Sequence, residues 1–295
     1  MNTKKESIFG YSAGIITGIA YGLNPLFAMP LMDAGASVDG ILFFRYGISV
    51  LLLGAFLLLG GQSFRISRRQ CVRLLILGLL YTTSSLTLFE SYKYIASGLA
   101  TTLVFLYPVL VALIMVFMKV YPTWQVWLSI IVTFIGVLIL TKSDGSNLIQ
   151  TKGVVLALGS ALAYAMFIVI VNRSRAIRSV PNSVLTFYAL LVGTMVFFIK
   201  GVLGGNGITE GISGPSAWMN LLGLAVLPTI ISTATLAYST RKIGATKASV
   251  LGVFEPITAI MVGAFAFGEP VTTNIIVGIV LAMAAVTFMI ISNKK

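Results

Sequence analysis

The chain has no histidine and a single cysteine, Cys71, in 295 residues. Without histidine it has neither an HExxH zinc site nor a Ser-His pair, and one cysteine excludes an intramolecular disulfide framework. Carboxylates are scarce too: eight Asp and Glu stand against 20 Lys and Arg. Asp33, Asp39 and Asp144 fall in loops or at the very edge of an apolar run, which removes an aspartyl dyad from within the runs. Charged residues of both signs make up only 9% of the chain, against about 25% in a globular domain. The sequence therefore implies no enzyme, no metal and no cofactor.

What is present is hydrophobic: 58% apolar side chains and a mean hydropathy of +1.01. Runs of roughly 20 apolar residues, enough to cross about 30 Å of hydrocarbon, recur along the whole length. Ten are expected, near residues 8–30, 38–60, 74–94, 97–118, 123–141, 153–172, 183–203, 217–239, 245–267 and 271–292. The fold class is an all-α integral membrane protein. The first run follows MNTKKES without a small-residue cleavage site and reads as a retained helix rather than a signal peptide.

Cytoplasmic loops are enriched in Lys and Arg. With the N-terminus inside, fifteen such residues fall inside, four fall outside (Lys93, Lys142, Lys152 and Lys200), and Arg45 alone lies within a run. Both termini are expected in the cytoplasm. The net charge of +12 then belongs to basic loop ends facing an anionic leaflet, and no nucleic-acid partner is expected.

The sequence also repeats itself. FLYPVLVALIMVFMKVYP at 105–122 matches VFEPITAIMVGAFAFGEP at 253–270, aligning Pro108 with Pro256, Pro122 with Pro270 and Tyr107 with Glu255 at one offset of 148. GIAYG at 18–22 echoes ALAYA at 161–165. Such spacing indicates two halves, 1–147 and 148–295, of five spans each. Five is odd, so the halves enter the membrane from opposite sides. Inverted repeats are the architecture of secondary transporters that work by alternating access around a midplane site.

These features resemble the EamA-type transporters of the drug/metabolite transporter superfamily. The resemblance rests on the ten runs, the two halves, Arg45 in FFRYG, the tyrosine-containing small-residue segments of runs one and six, and FEPITAIMVGAFAFGEPVT in run nine. It covers essentially the whole chain, is specific for fold and transport, and is weak for substrate. It implies a multi-pass solute carrier of a bacterial inner membrane, commonly driven by protons or by exchange. Where the family usually reads Gly-Glu-Arg, this chain has Gly268-Glu269-Pro270, which points to a helix cap rather than a substrate contact.

Ionisable groups within apolar runs mark candidate sites, because hydrocarbon penalises them. Glu255 lies about ten residues from each end of its run, hence about 15 Å deep, and Arg45 about seven residues in, hence about 10 Å deep. Glu90 lies within a turn of an end and reaches solvent. Two roles are open to Glu255. It is a coupling or cation-binding carboxylate, since burial favours the protonated acid and a nearby cation favours the carboxylate, or it is a static partner of Arg45. Arg45 is correspondingly a ligand for a substrate carboxylate or an internal counter-ion. A zwitterion would satisfy both, which places amino acids first among substrates.

Tyr21, Tyr46, Tyr81, Tyr107, Tyr164, Tyr188 and Tyr238 all fall within runs and are candidate pocket residues for aromatic or cationic solutes. For each, helix packing or the interfacial aromatic belt is the competing reading, and Tyr107 stands out because symmetry sets it opposite Glu255. Pro108, Pro256 and Pro25, the last with Asn24 before it, lack the N–H of a helix interior. They should bend their helices as hinges and free carbonyls as ligands, or as static kinks satisfied by neighbours. Gly10, Gly14 and Gly18 fit close helix packing.

Against a channel, there is no filter-like loop or ring of like charge. A scaffold or receptor would leave the duplication unexplained. The sequence thus favours a proton-linked or exchange-type exporter of amino acids or amphipathic metabolites, monomeric or homodimeric, with an importer or exchanger of a choline-like cation or vitamin as the alternative.

Overall fold

The computed structural model of the chain describes residues 2–95, 97–141, 150–203, 208–266 and 273–292. Among them there is helix and no strand. The helices are α1 (Asn2–Gly22), α2 (Asn24–Asp33), α3 (Val38–Leu59), α4 (Arg68–Ser91), α5 (Ser97–Val104), α6 (Tyr107–Phe117), α7 (Trp124–Thr141), α8 (Thr151–Arg173), α9 (Arg175–Arg178), α10 (Asn182–Leu203), α11 (Gly214–Ala225), α12 (Ser232–Ile243), α13 (Ala245–Val250), α14 (Phe254–Ala266) and α15 (Thr273–Ser292). Seven helical stretches, some running through a break, are long and apolar enough to cross a membrane. Shorter apolar helices lie at Tyr107–Phe117, Trp124–Gly136 and Ile276–Ala285. Leu59, Phe117 and Phe265 point outward at 90%, 86% and 83% exposure, which suits a surface whose solvent is lipid. The chain is a multi-pass membrane protein. The junction at 142–149 and the Gly268-Glu269-Pro270 segment lie outside the described residues.

Local chemistry sets several helix starts. Ser37 caps α3 by accepting a bond from the Gly40 N–H at 3.1 Å. Ser67 and Gln70 form a reciprocal capping box on α4, which satisfies two of the donors that a helix start leaves unpaired.

Proline sets the breaks. The ring removes a donor and clashes with the carbonyl four residues back. The turn at Leu23 separates α1 from α2 at Pro25, residues 105–106 separate α5 from α6 at Pro108, and a 3-10 turn, Leu251–Val253, separates α13 from α14 at Pro256. A fourth proline, Pro228, sits in a π-helical turn, Val226–Ile231, between α11 and α12. Sequence reading had not singled that break out.

The helices pair reciprocally. α4 packs on α8 and α1 on α12, while α3 packs on α10 and α7 on α15. The first two pairs join run three with run six and run one with run eight, and the last two join run two with run seven and run five with run ten. α1 also packs closely along α12, α13 and α14, because Gly10, Gly14, Gly18 and Gly22 leave no side chain there. A Cβ at these four positions would press on Ile243, Leu251, Phe254 and the Glu255 carbonyl respectively.

The ends of the bundle differ in charge. At one end Lys200 pairs with Asp39 at 2.6 Å and Lys93 with Glu90 at 2.9 Å, the two ion pairs found among the described residues. At the other end Arg241 donates to the Val180 and Ile177 carbonyls, and the Gln70 amide donates to the Ser179 hydroxyl.

Candidate functional site

Tyr107 and Glu255 meet. The Tyr107 hydroxyl donates to Glu255 Oε1 at 3.1 Å across 148 residues of chain, joining the proline break of one half to that of the other. Both side chains are buried, at 1% and 2% exposure. The break itself makes room, since a Cβ on Gly252 would overlap the Tyr107 hydroxyl. Tyr164 packs edge-on against Tyr107, with ring centroids 4.8 Å apart, and Tyr21 stacks on Tyr164 at 5.9 Å. Glu255 thus has one hydroxyl donor and a wall of tyrosine rings around it.

Arg45 is fully buried as well, and its partners bear on the two readings left open for it. The ion pairs among the described residues do not include an Arg45–Glu255 bridge. Arg45 instead donates from Nε to Thr229 Oγ1 at 2.5 Å and from Nη2 to the Pro228 carbonyl at 3.1 Å. The physical reason is the π-helical turn. Pro228 has no N–H for the Leu224 carbonyl, so the Thr229 hydroxyl takes that place at 2.6 Å. Ser49 donates to the Ala225 carbonyl at 2.9 Å. The carbonyls loosened by one proline are therefore met by Arg45 and Ser49 from α3. Rings of Tyr46 and Phe89, each centred 5.7 Å from the guanidinium carbon, add cation–π stabilisation. Arg45 Nη1 is buried without a hydrogen-bond partner.

A chain of aromatic contacts runs between the two charged residues. Tyr46 stacks on Tyr81 at 5.8 Å, Tyr81 touches Phe167 at 5.4 Å, and Phe167 stacks on Tyr164 at 6.4 Å. Their hydroxyls are anchored: Tyr46 shares a 2.6 Å bond with Ser85, and Tyr81 accepts from Thr233 at 2.9 Å. Asn24 serves the bend beside it. Its Nδ2 donates to the Tyr21 carbonyl at 2.9 Å, the group that Pro25 leaves without a donor, and its Oδ1 is buried and unpaired.

Two expected pocket residues lie elsewhere. Tyr188 donates to the Phe64 carbonyl at 2.7 Å, tying α10 to the loop before α4. Tyr238 lies beside Lys242, whose Nζ is 5.9 Å from its ring centre. Both are half-buried, as expected of rings near a helix end. Glu90 pairs with Lys93 near solvent. Sequence reading missed Thr229, Pro228 and Ser49. A Pro-Thr pair in run eight and a serine one turn after Arg45 were the available signals.

The sequence profile described as the EamA-like transporter family matches residues 8–142 and again residues 151–291. The chain belongs to that family. The EamA-like assignment extends over both halves and accounts for the duplicated proline breaks. Among curated relatives, an uncharacterized transporter of Archaeoglobus fulgidus is 22% identical over 278 residues, covering 94% of this chain and 95% of its own. The uncharacterized transporter YdfC of Bacillus subtilis is 26% identical over 206 residues, covering 69% and 65%. A protein of known crystal structure superposes with a TM-score of 0.78 at 17% identity, over 97% of this chain and 98% of that one, a likeness of fold alone. EamA-like proteins are transporters, and transport is the general role of this chain.

Proposed function

We propose that the protein is a secondary transporter that moves small zwitterionic metabolites, amino acids first, out of a bacterial cell across the inner membrane in exchange for protons. In this reading ten spans form two inverted five-helix repeats, 1–147 and 148–295, with both termini in the cytoplasm, in a monomer or homodimer. Pro25, Pro108 and Pro256 are the hinges of alternating access. Glu255 takes the substrate ammonium or the driving proton, Tyr107 positions it, and Arg45 Nη1 receives the substrate carboxylate. Tyr21, Tyr46, Tyr81 and Tyr164 form the wall between them.

The observation that carries this reading is the buried Tyr107–Glu255 hydrogen bond at 3.1 Å. It joins a tyrosine beside the Pro108 break to a carboxylate beside the Pro256 break, which supports a site between the halves, since a bond across that junction must change whenever they rock. The reciprocal helix pairing supports inversion. The fifteen-to-four distribution of Lys and Arg supports the orientation.

The test is flux in proteoliposomes with and without a pH gradient, after a thermal-stability panel of amino acids, choline-like amines and vitamins has named a ligand. Glu255→Gln keeps an acceptor for Tyr107 but has no charge and cannot titrate. It should lose gradient-driven flux in either role, with ligand-induced stabilisation kept if Glu255 carries the proton and lost if it binds the substrate ammonium. Full gradient-driven flux in the variant would remove Glu255 from coupling. The rings of Tyr21, Tyr107 and Tyr164 beside one carboxylate favour a second reading, a small organic cation as substrate. Stabilisation by amines and not by amino acids would select it.

A further inference from the structure

Five of the nine arginines of the chain, Arg68, Arg69, Arg73, Arg173 and Arg175, and no lysine among the described residues, line one open trough of about 1420 Å³. It lies between the start of α4 and the ends of α6 and α8, and no carboxylate among the described residues lines it. The two ion pairs among the described residues sit at the opposite end of the bundle. All five arginines are exposed and share the lining of one trough, with no acidic side chain among its described lining residues. Arginine presents a planar fork of donors that matches phosphate oxygens in pairs.

Below the arginines the walls turn apolar, with Val72, Ile76, Ile114, Met118, Met166 and Ile170. Several of these open sideways: Val72 is 58% exposed, Met118 43% and Met166 41%. The apolar strip continues along α8 to Leu162, itself 47% exposed. From Arg173 to Leu162 is about 16 Å at 1.5 Å per residue, close to the roughly 15 Å hydrocarbon depth of one leaflet. Arg68 and Arg173 are end residues of membrane-length helices, so the charged rim stands at headgroup level and the strip at acyl level.

We propose that this trough holds a phospholipid with an anionic headgroup. The phosphate is gripped by the arginine rim and one acyl chain lies along α8 between α4 and α6. A zwitterionic lipid fits worse, because its choline would enter a field of five positive charges. Basic recesses between membrane helices recognise anionic headgroups by this chemistry.

The test uses the full-length protein relipidated with equal phosphatidylglycerol and phosphatidylcholine, re-extracted in detergent, with bound lipid counted by mass spectrometry. The wild type should retain phosphatidylglycerol over phosphatidylcholine by roughly tenfold or more. The quadruple variant Arg68→Gln, Arg69→Gln, Arg173→Gln, Arg175→Gln should lose that preference. Because these side chains are exposed, its unfolding temperature in detergent should match that of the wild type. Arg65→Gln with Arg178→Gln, basic residues outside the trough, should keep the preference. Met166→Trp, which fills the apolar strip without touching charge, should reduce retention. Equal retention of both lipids by the wild type overturns the proposal, as does a control pair that loses as much as the quadruple variant. Full retention by Met166→Trp also overturns it, by leaving only headgroup attraction. Heat stabilisation by inorganic phosphate as strong as that by phosphatidylglycerol would replace the lipid with a free anion.

Discussion

Thr229→Val removes one oxygen from a side chain that keeps its shape, and the structure sets the cost. Thr229 is fully buried. Its hydroxyl accepts from Arg45 Nε at 2.5 Å and donates to the Leu224 carbonyl at 2.6 Å. Valine leaves both partners in place without their bond. A neutral hydrogen bond contributes about 1 kcal/mol net and one to a charged group about 1.5–3. Polar contacts between membrane helices average nearer 0.6 kcal/mol, because the unfolded chain finds other partners. Arg45 keeps its bond to the Pro228 carbonyl, so the loss falls between these limits, at about 2 kcal/mol. Equilibrium unfolding in mixed micelles measures it directly. Thr229→Ser retains the hydroxyl and should stay within about 0.5 kcal/mol of the wild type. If Thr229→Val unfolds like the wild type, the hydroxyl does not brace the π-helical turn and Arg45 is not held through it.

Gly252→Ala should push its new methyl into the Tyr107 hydroxyl and destabilise by about 1–3 kcal/mol. Adding Tyr107→Phe should recover part of that loss, a non-additivity that the same unfolding measurement reads. Asn24→Leu should cost about 1–2 kcal/mol, because the Tyr21 carbonyl then has no donor at the Pro25 bend. Tyr188→Phe and Tyr238→Phe should leave ligand-induced thermal stabilisation unchanged, and a loss in either would return that tyrosine to the site.

The helix breaks at Pro25, Pro108 and Pro256 were legible in the sequence because their cause is local: one ring, one missing donor. The meeting of Tyr107 with Glu255 was legible for a different reason, since the repeat offset ties two positions that no local rule connects. Arg45 shows where such reading stops. Its depth signalled a partner, and the nearest candidate by composition was the lone acid of comparable depth. The actual partners are a threonine hydroxyl and a backbone carbonyl, exposed by a π-helical turn 183 residues away. A carbonyl belongs to every residue and leaves no mark in a sequence. Tyrosines pose the converse difficulty. Tyr164 in the wall and Tyr188 at a loop have the same composition and similar hydropathic surroundings, and only the packing of α8 and α10 separates them.

The glycines of α1 carry a mechanical consequence. Gly10, Gly14, Gly18 and Gly22 form a bare track pressed on α12, α13 and α14, while Tyr11, Ile15 and Ile19 lie one position on. A screw motion of one residue, about 1.5 Å of rise with a turn of about 100°, would drive those bulky groups into contacts that now admit only hydrogen. A slip of four residues, about 6 Å along the axis, would set glycine against the same surface again for most of the track. The bare track therefore fixes which face α1 turns to its neighbours, and a change of register fits it only in steps of about one turn.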